Sequence, residues 1–109
     1  MVIATRILRL RDDEASQIPV RIFAPAESDH CWQCYFEIGW PQGLQRKYAG
    51  GADAIEALEH AMRLIGTLLY SSDLHETGRL MWDQPGRGYG FPVPRGIRDL
   101  LIGDDARFL

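Results

Sequence analysis

Lysine is almost absent from this chain of 109 residues, where Lys47 stands against eleven arginines. Cysteine is scarce too. Two of them make no disulfide framework, which excludes a small stapled scaffold. No apolar run approaches the ~20 residues that cross a bilayer as a helix. Arginines interrupt the apolar residues of positions 1–10, so no secretory core is present and export is not expected. Positive charge is not in excess either. Twelve basic and 15 acidic side chains leave a formal net charge of -3, which argues against a dedicated nucleic-acid binder. The expected setting is a reducing cytoplasm, with no membrane, no nucleic acid and no cofactor.

Signatures of catalysis are missing as well. The chain has no Gly-x-Ser-x-Gly elbow and no His-Glu-x-x-His helix. Ser71, Asp73 and His75 lie close together, but working triads assemble from distant segments, so these residues read as a helix end. His30-Cys31-Trp32-Gln33-Cys34 contains the spacing of a metal knuckle. On a strand, residues three apart point to opposite faces, so one thiol is expected inside and one outside. Gly86-Arg87-Gly88-Tyr89-Gly90-Phe91 shares only its glycines with a phosphate loop, because Pro92 and Pro94 follow where a helix would open.

What is present points to one α+β domain over residues 1–109. Apolar residues make up 46% of the chain, enough for a core. Residues 2–10 and 18–24 favour strands, with Pro19 at a strand start or on an edge because it lacks an amide donor. Residues 31–40 alternate most clearly: Trp32, Cys34, Phe36, Ile38 and Trp40 share one face. Trp40-Pro41-Gln42-Gly43 suits a type I turn. With Gly43 as a bulge, Leu44 faces Trp40 and Lys47 faces Glu37, and this register is preferred. A two-residue loop would instead set Glu37 opposite Arg46 and Leu44 opposite Gly39, which moves Leu44 and Tyr48 to the solvent face.

Asp53 and Glu56 have the spacing of a capping box. Ile55, Leu58, Met62, Ile65 and Leu69 then recur at helical intervals, predicting a helix over 54–71. Gly66 inside it costs up to ~1 kcal/mol against Ala, so a close approach to the sheet or to a bulky ring is expected there. A short turn over 74–77, a strand or extended segment over 79–82 and a breaker-rich 83–96 follow. Residues 97–101 fit one or two helical turns, and the tail beyond reads as frayed, with Phe108 and Leu109 able to dock. The architecture expected is a three- to four-stranded antiparallel meander with one long helix on one face, a Gly/Pro-rich C-terminal loop and a short C-terminal helix. Its core comprises Ile22, Trp32, Phe36, Ile38, Ile55, Leu58, Met62, Ile65 and Leu69.

Several of these segments carry a resemblance. Gly39-Trp40-Pro41, Tyr48-Ala49-Gly50-Gly51, Asp53-Ala54, Ile65-Gly66, Leu69-Tyr70 and Gly88-Tyr89-Gly90-Phe91-Pro92 together resemble a small bacterial family catalogued as a domain of unknown function. The likeness covers roughly residues 20–94, and its motifs are turns, a helix start and a closing loop. It implies a bacterial source and a compact single domain, and it supplies no activity, cofactor or catalytic residue.

Function is therefore read from surfaces. Residues 51–83 carry Asp53, Glu56, Glu59, Asp73, Glu76 and Asp83 against Arg63 and Arg79, a net of -4. An acidic helix face, together with a sheet face that no expected element covers, suggests a non-enzymatic protein-interaction module. It would act as a homodimer or with a protein partner, in the manner of immunity or antitoxin proteins. The alternative is a small-ligand pocket between the helix and the 83–96 loop. Trp82, Arg87, Tyr89 and Phe91 are the candidate contact residues, and an enzyme is the least favoured class. The cysteine reading has a direct check: elemental analysis of tag-free protein is expected to find no zinc, and Cys31→Ser/Cys34→Ser is expected to fold. One zinc per chain would defeat it.

Overall fold

The computed structural model describes residues 1–109, with Glu14 described through its backbone alone. The elements run β1 (Val2–Leu10), β2 (Asp13–Phe23), β3 (Ala26–Glu27), β4 (Trp32–Trp40), β5 (Gly43–Gly51), α1 (Ala54–Tyr70), α2 (Asp73–Glu76) and β6 (Leu80–Met81). A 3-10 helix (Arg95–Leu100) and α3 (Gly103–Phe108) complete the chain. The strands form an antiparallel sheet in the order β3-β4-β2-β1-β6, with β5 paired to β4. The fold is α+β, and its six strands exceed the three or four expected. The surplus comes from β3, whose two residues leave no periodicity to read, and from β6, which falls within the apolar 79–82 segment. β2 also begins earlier than residue 18. There the Ser16 hydroxyl accepts from Leu10 N (3.1 Å) and donates to Asp13 O (2.6 Å), which settles polar groups in a stretch without apolar alternation.

By its contacts the chain divides into two compact units, residues 1–7 with 18–62, and residues 8–17 with 63–109. In the first, Ile18, Val20, Ile22, Cys34, Phe36, Ile38, Ala57 and Ala61 are buried. Alternation along β4 produces that result directly. Cys34 points inward, its Sγ 3.4 Å from Phe23 O, while Cys31 is exposed. Pro19 lies within β2 and not at its start. The registered β2–β4 pairs run Val20↔Ile38, Arg21↔Glu37 and Ile22↔Phe36, and beside them Gly39 leaves room for the Pro19 ring.

The β4–β5 hairpin does not take the bulged register. Its pairs are Trp40↔Gly43, Gly39↔Leu44, Glu37↔Arg46 and Tyr35↔Tyr48, so Pro41 and Gln42 alone make the loop. Gly43 has φ of 156°, well away from the left-handed conformation that a bulge of this kind needs. Cross-strand pairing fixes the choice: Arg46 Nη1 meets Glu37 Oε2 at 2.9 Å, and Trp40 Nε1 donates to Gln45 Oε1 at 2.8 Å.

Asp53 Oδ1 accepts from Glu56 N (2.8 Å), while Glu56 Oε1 accepts from Ala52 N (2.9 Å), a reciprocal cap displaced by one residue. His60 does not pair with Glu56; its Nδ1 lies 2.9 Å from Gly50 O at the end of β5. The buried stripe of α1 runs through Ala57, Ala61, Ile65 and Leu69, and Ile55 is 76% exposed rather than in the core. Small residues at 57 and 61 explain the difference: Gly51 lies against the backbone of Ala57, and a larger side chain facing β5 would hold the helix away.

In the second unit, β6 pairs with the end of β1 through Arg9↔Met81 and Leu10↔Leu80. Leu8, Leu10, Ile65, Leu69, Leu80, Met81, Phe91, Val93 and Leu101 are buried. The close approach expected at Gly66 is real, but its partner is the Pro92 carbonyl, onto which a Cβ would project. Residues 103–108 form α3 in place of a frayed tail, while Phe108 stays exposed. Gly66→Ala is expected to lose about 2 kcal/mol or more in denaturant unfolding, beyond any gain in helix propensity. Ile55→Glu should change stability by less than about 0.5 kcal/mol. A neutral Gly66→Ala would contradict the packing described.

Candidate functional site

Two constellations stand out, one in each unit. In the second, α3 carries Asp105 to a position only 3% exposed. Burial of a carboxylate is costly unless donors meet it. Three do: the Tyr70 hydroxyl donates to Oδ2 (2.5 Å), Tyr89 N to Oδ2 (2.8 Å) and Gly90 N to Oδ1 (2.8 Å). Tyr70 in turn accepts from Ile102 N at 3.3 Å. Gly88, with φ of 89°, brings the loop so near that a Cβ would overlap the Asp105 carboxyl. The Tyr89 hydroxyl and His75 Nδ1 lie 2.5 Å apart, and the Tyr70, His75 and Tyr89 rings pack with centroids 4.8 to 5.6 Å apart.

Burial pushes both phenols above their ordinary value, and the neighbouring Asp105 carboxylate adds to the effect. Burial also lowers the His75 imidazole. A cleft of about 280 Å³ opens beside the pair, with Arg11, Leu80 and Pro85 among its walls. Such a buried, hydrogen-bonded set fixes loop geometry; its hydroxyls and imidazole serve one another. Among the described residues, no three His, Cys, Asp or Glu side chains gather closely enough to hold a metal.

The first unit offers a surface. On the sheet face away from α1, cross-strand pairing makes three rows. Tyr35 and Tyr48 form one, Arg21, Glu37 and Arg46 the next, and Leu44 with Gly39, on which the Pro19 ring packs, the third. The Arg46 guanidinium sits 5.0 Å from the Phe23 ring centroid and 4.8 Å from that of Tyr35. Tyr35 and Tyr48 pack at 5.1 Å. Leu44 is 61% exposed and Tyr48 49%.

The residues singled out from sequence do not come together at one opening. Trp82 is exposed, and Arg87 Nη2 holds both Asp104 carboxylate oxygens at 3.1 Å. Tyr89 and Phe91 are buried, so the 83–96 loop presents neither ring to solvent. Tyr89 lines the 280 Å³ cleft, and Trp82 does not. Sequence reading missed Asp105 because an Asp-Asp pair in a tail that reads as frayed looks solvated. The available signal was indirect: Tyr70 and Tyr89 sit in apolar stretches, and buried hydroxyls require partners.

A family model described as a domain of unknown function, DUF6968, matches residues 4–93. No curated protein matches the chain, and no solved structure does.

The network predicts how stability varies with pH. His75 binds its proton less readily in the folded chain, so stability should fall as pH drops below its ordinary 6.5. Tyr70 and Tyr89 hold theirs more tightly when folded, so stability should also fall as pH rises past 10.0. Denaturant midpoints across a pH series check both limbs, and His75→Phe should shrink the acid one. Asp105→Ala, which strands three donors, should cost about 3 kcal/mol or more.

Proposed function

The chain belongs to the DUF6968 family, a domain of unknown function, and from that premise we propose that it is a non-enzymatic protein-interaction module that pairs with a second copy of itself. The observation that carries this reading is the exposed face of the β4–β5 hairpin. Cross-strand partners there complement one another, Glu37 beside Arg46 and Tyr35 beside Tyr48, while Leu44 stands opposite Gly39. A two-fold axis parallel to the strands would lay β4 of one copy over β5 of the other. The carboxylate then meets a guanidinium, ring meets ring, and the exposed leucine faces the Pro19 ring that packs against Gly39. An isologous interface needs this kind of self-complementarity. Aligned stacking of two sheets is also a common way to bury such faces.

A second feature supports an added partner of opposite charge. The start of α1 carries Glu56 and Glu59, with Asp53 capping it, around exposed Ile55, a surface suited to steering a basic protein, as immunity and antitoxin proteins do. Two free thiols, one of them on the surface, fit a reducing cytoplasm.

Sedimentation or light scattering at micromolar concentration tests the reading. Wild-type protein is expected as a dimer. Leu44→Asp should give a monomer whose unfolding free energy per chain changes by no more than about 0.5 kcal/mol beyond the lost association. Glu37→Arg and Arg46→Glu should each weaken association, and the double charge swap should restore it. A wild-type monomer throughout would overturn the proposal.

A further inference from the structure

Only one nitrogen of His75 is engaged within the protein. Its Nδ1 faces the Tyr89 hydroxyl, and a phenol is a better acid than a neutral imidazole, so the O–H donates. Burial weakens the hold of the imidazole on a second proton, so at neutral pH its one proton sits on Nε2. That N–H has no partner among the described residues. No buried side-chain nitrogen or oxygen among them is left unpaired, so Nε2 reaches solvent. His75 is also a wall of the 280 Å³ cleft, whose described walls all belong to the unit of residues 8–17 and 63–109.

The Arg11 guanidinium is another wall, and among the described residues it too has no partner. The neighbouring Asp12 carboxylate pairs with Arg79 instead, at 3.3 Å. A lone arginine at the surface would be ordinary. Here it shares a cleft with a half-buried imidazole N–H, and none of the described walls is acidic. Two donors so placed suit the two oxygens of one carboxylate. Leu80, Pro85 and Ile102 supply an apolar lining. Gly78 and Gly86 add no side chain to the walls, and space is open where a Cβ would stand.

We propose that this cleft binds a small aromatic carboxylate, with His75 Nε2–H and Arg11 taking the oxygens and Leu80, Pro85 and Ile102 the ring. The volume lies near the lower end for small-molecule sites, so the body must be compact. A flat, rigid ring gives up little internal freedom on binding. The imidazole is equally prepared, because the buried phenol already holds its tautomer. The inference stands apart from self-association through the hairpin and does not need it.

The test uses the full chain with benzoate as probe, and benzamide and acetate as comparison ligands. Calorimetry should show saturable binding of benzoate. Chemical shifts should move at the His75 imidazole nitrogens and at the Leu80 and Ile102 methyls. Benzamide should bind about tenfold more weakly or worse, and so should benzoate to Arg11→Gln. Arg11 is exposed, so that variant is expected to fold, and the shift map needs no variant at all. Four results would overturn the proposal: no saturation at millimolar benzoate, equal binding of acid and amide, unchanged affinity in Arg11→Gln, or shifts located elsewhere. Acetate binding as tightly as benzoate would overturn the aromatic class. Running the same titration on Leu44→Asp keeps the outcome independent of oligomeric state.

Discussion

A buried carboxylate must be answered by donors, and in the residues 63–109 unit that demand arranges nearly everything around Asp105. Its three hydrogen bonds reach the last residue of α1 and two consecutive amides of the glycine-rich loop. The loop backbone can offer those amides only because Gly88 takes a positive φ and carries no Cβ where the carboxyl lies. The same loop then delivers Tyr89 to His75 and the Pro92 carbonyl to Gly66. What reads as an irregular glycine–proline stretch is therefore held as firmly as a strand, by a side chain that follows it in sequence.

Much of the fold was legible because it rests on periodicity. The alternation of Trp32 to Trp40 and the three-four spacing of α1 locate β4 and the long helix within a residue of their observed ends. Ile55 was misplaced by the same logic. Periodicity finds an apolar stripe, but which side of that stripe is buried depends on how closely the helix can approach, and small residues at 57 and 61 decide that. The hairpin register failed for a related reason. Placing Leu44 and Tyr48 inward assumes that burial outranks all else, whereas a direct Glu37–Arg46 pair and facing tyrosines favour the other register.

The polar network was not legible, since its members have no fixed spacing. Tyr70 and Asp105 are 35 positions apart and Tyr89 and Asp105 are 16 apart, separations that no local pattern encodes. Of the loop residues singled out as contacts, Trp82 and Arg87 lie at the surface. Tyr89 and Phe91 face inward, so aromatic content in a loop here reports packing.

The end of β5 has a consequence for behaviour in a crowded solution. A strand bound to one neighbour leaves every second residue with its amide and carbonyl turned outward, and on β5 these belong to Leu44, Arg46, Tyr48 and Gly50. Such a row is a template on which further chains can add and grow into fibrils. Here the growth points are blunted. His60 already engages the Gly50 carbonyl, and consecutive Arg46 and Lys47 would set like charges against each other in an added strand. The hairpin face can therefore stay exposed while its outer strand discourages polymerisation.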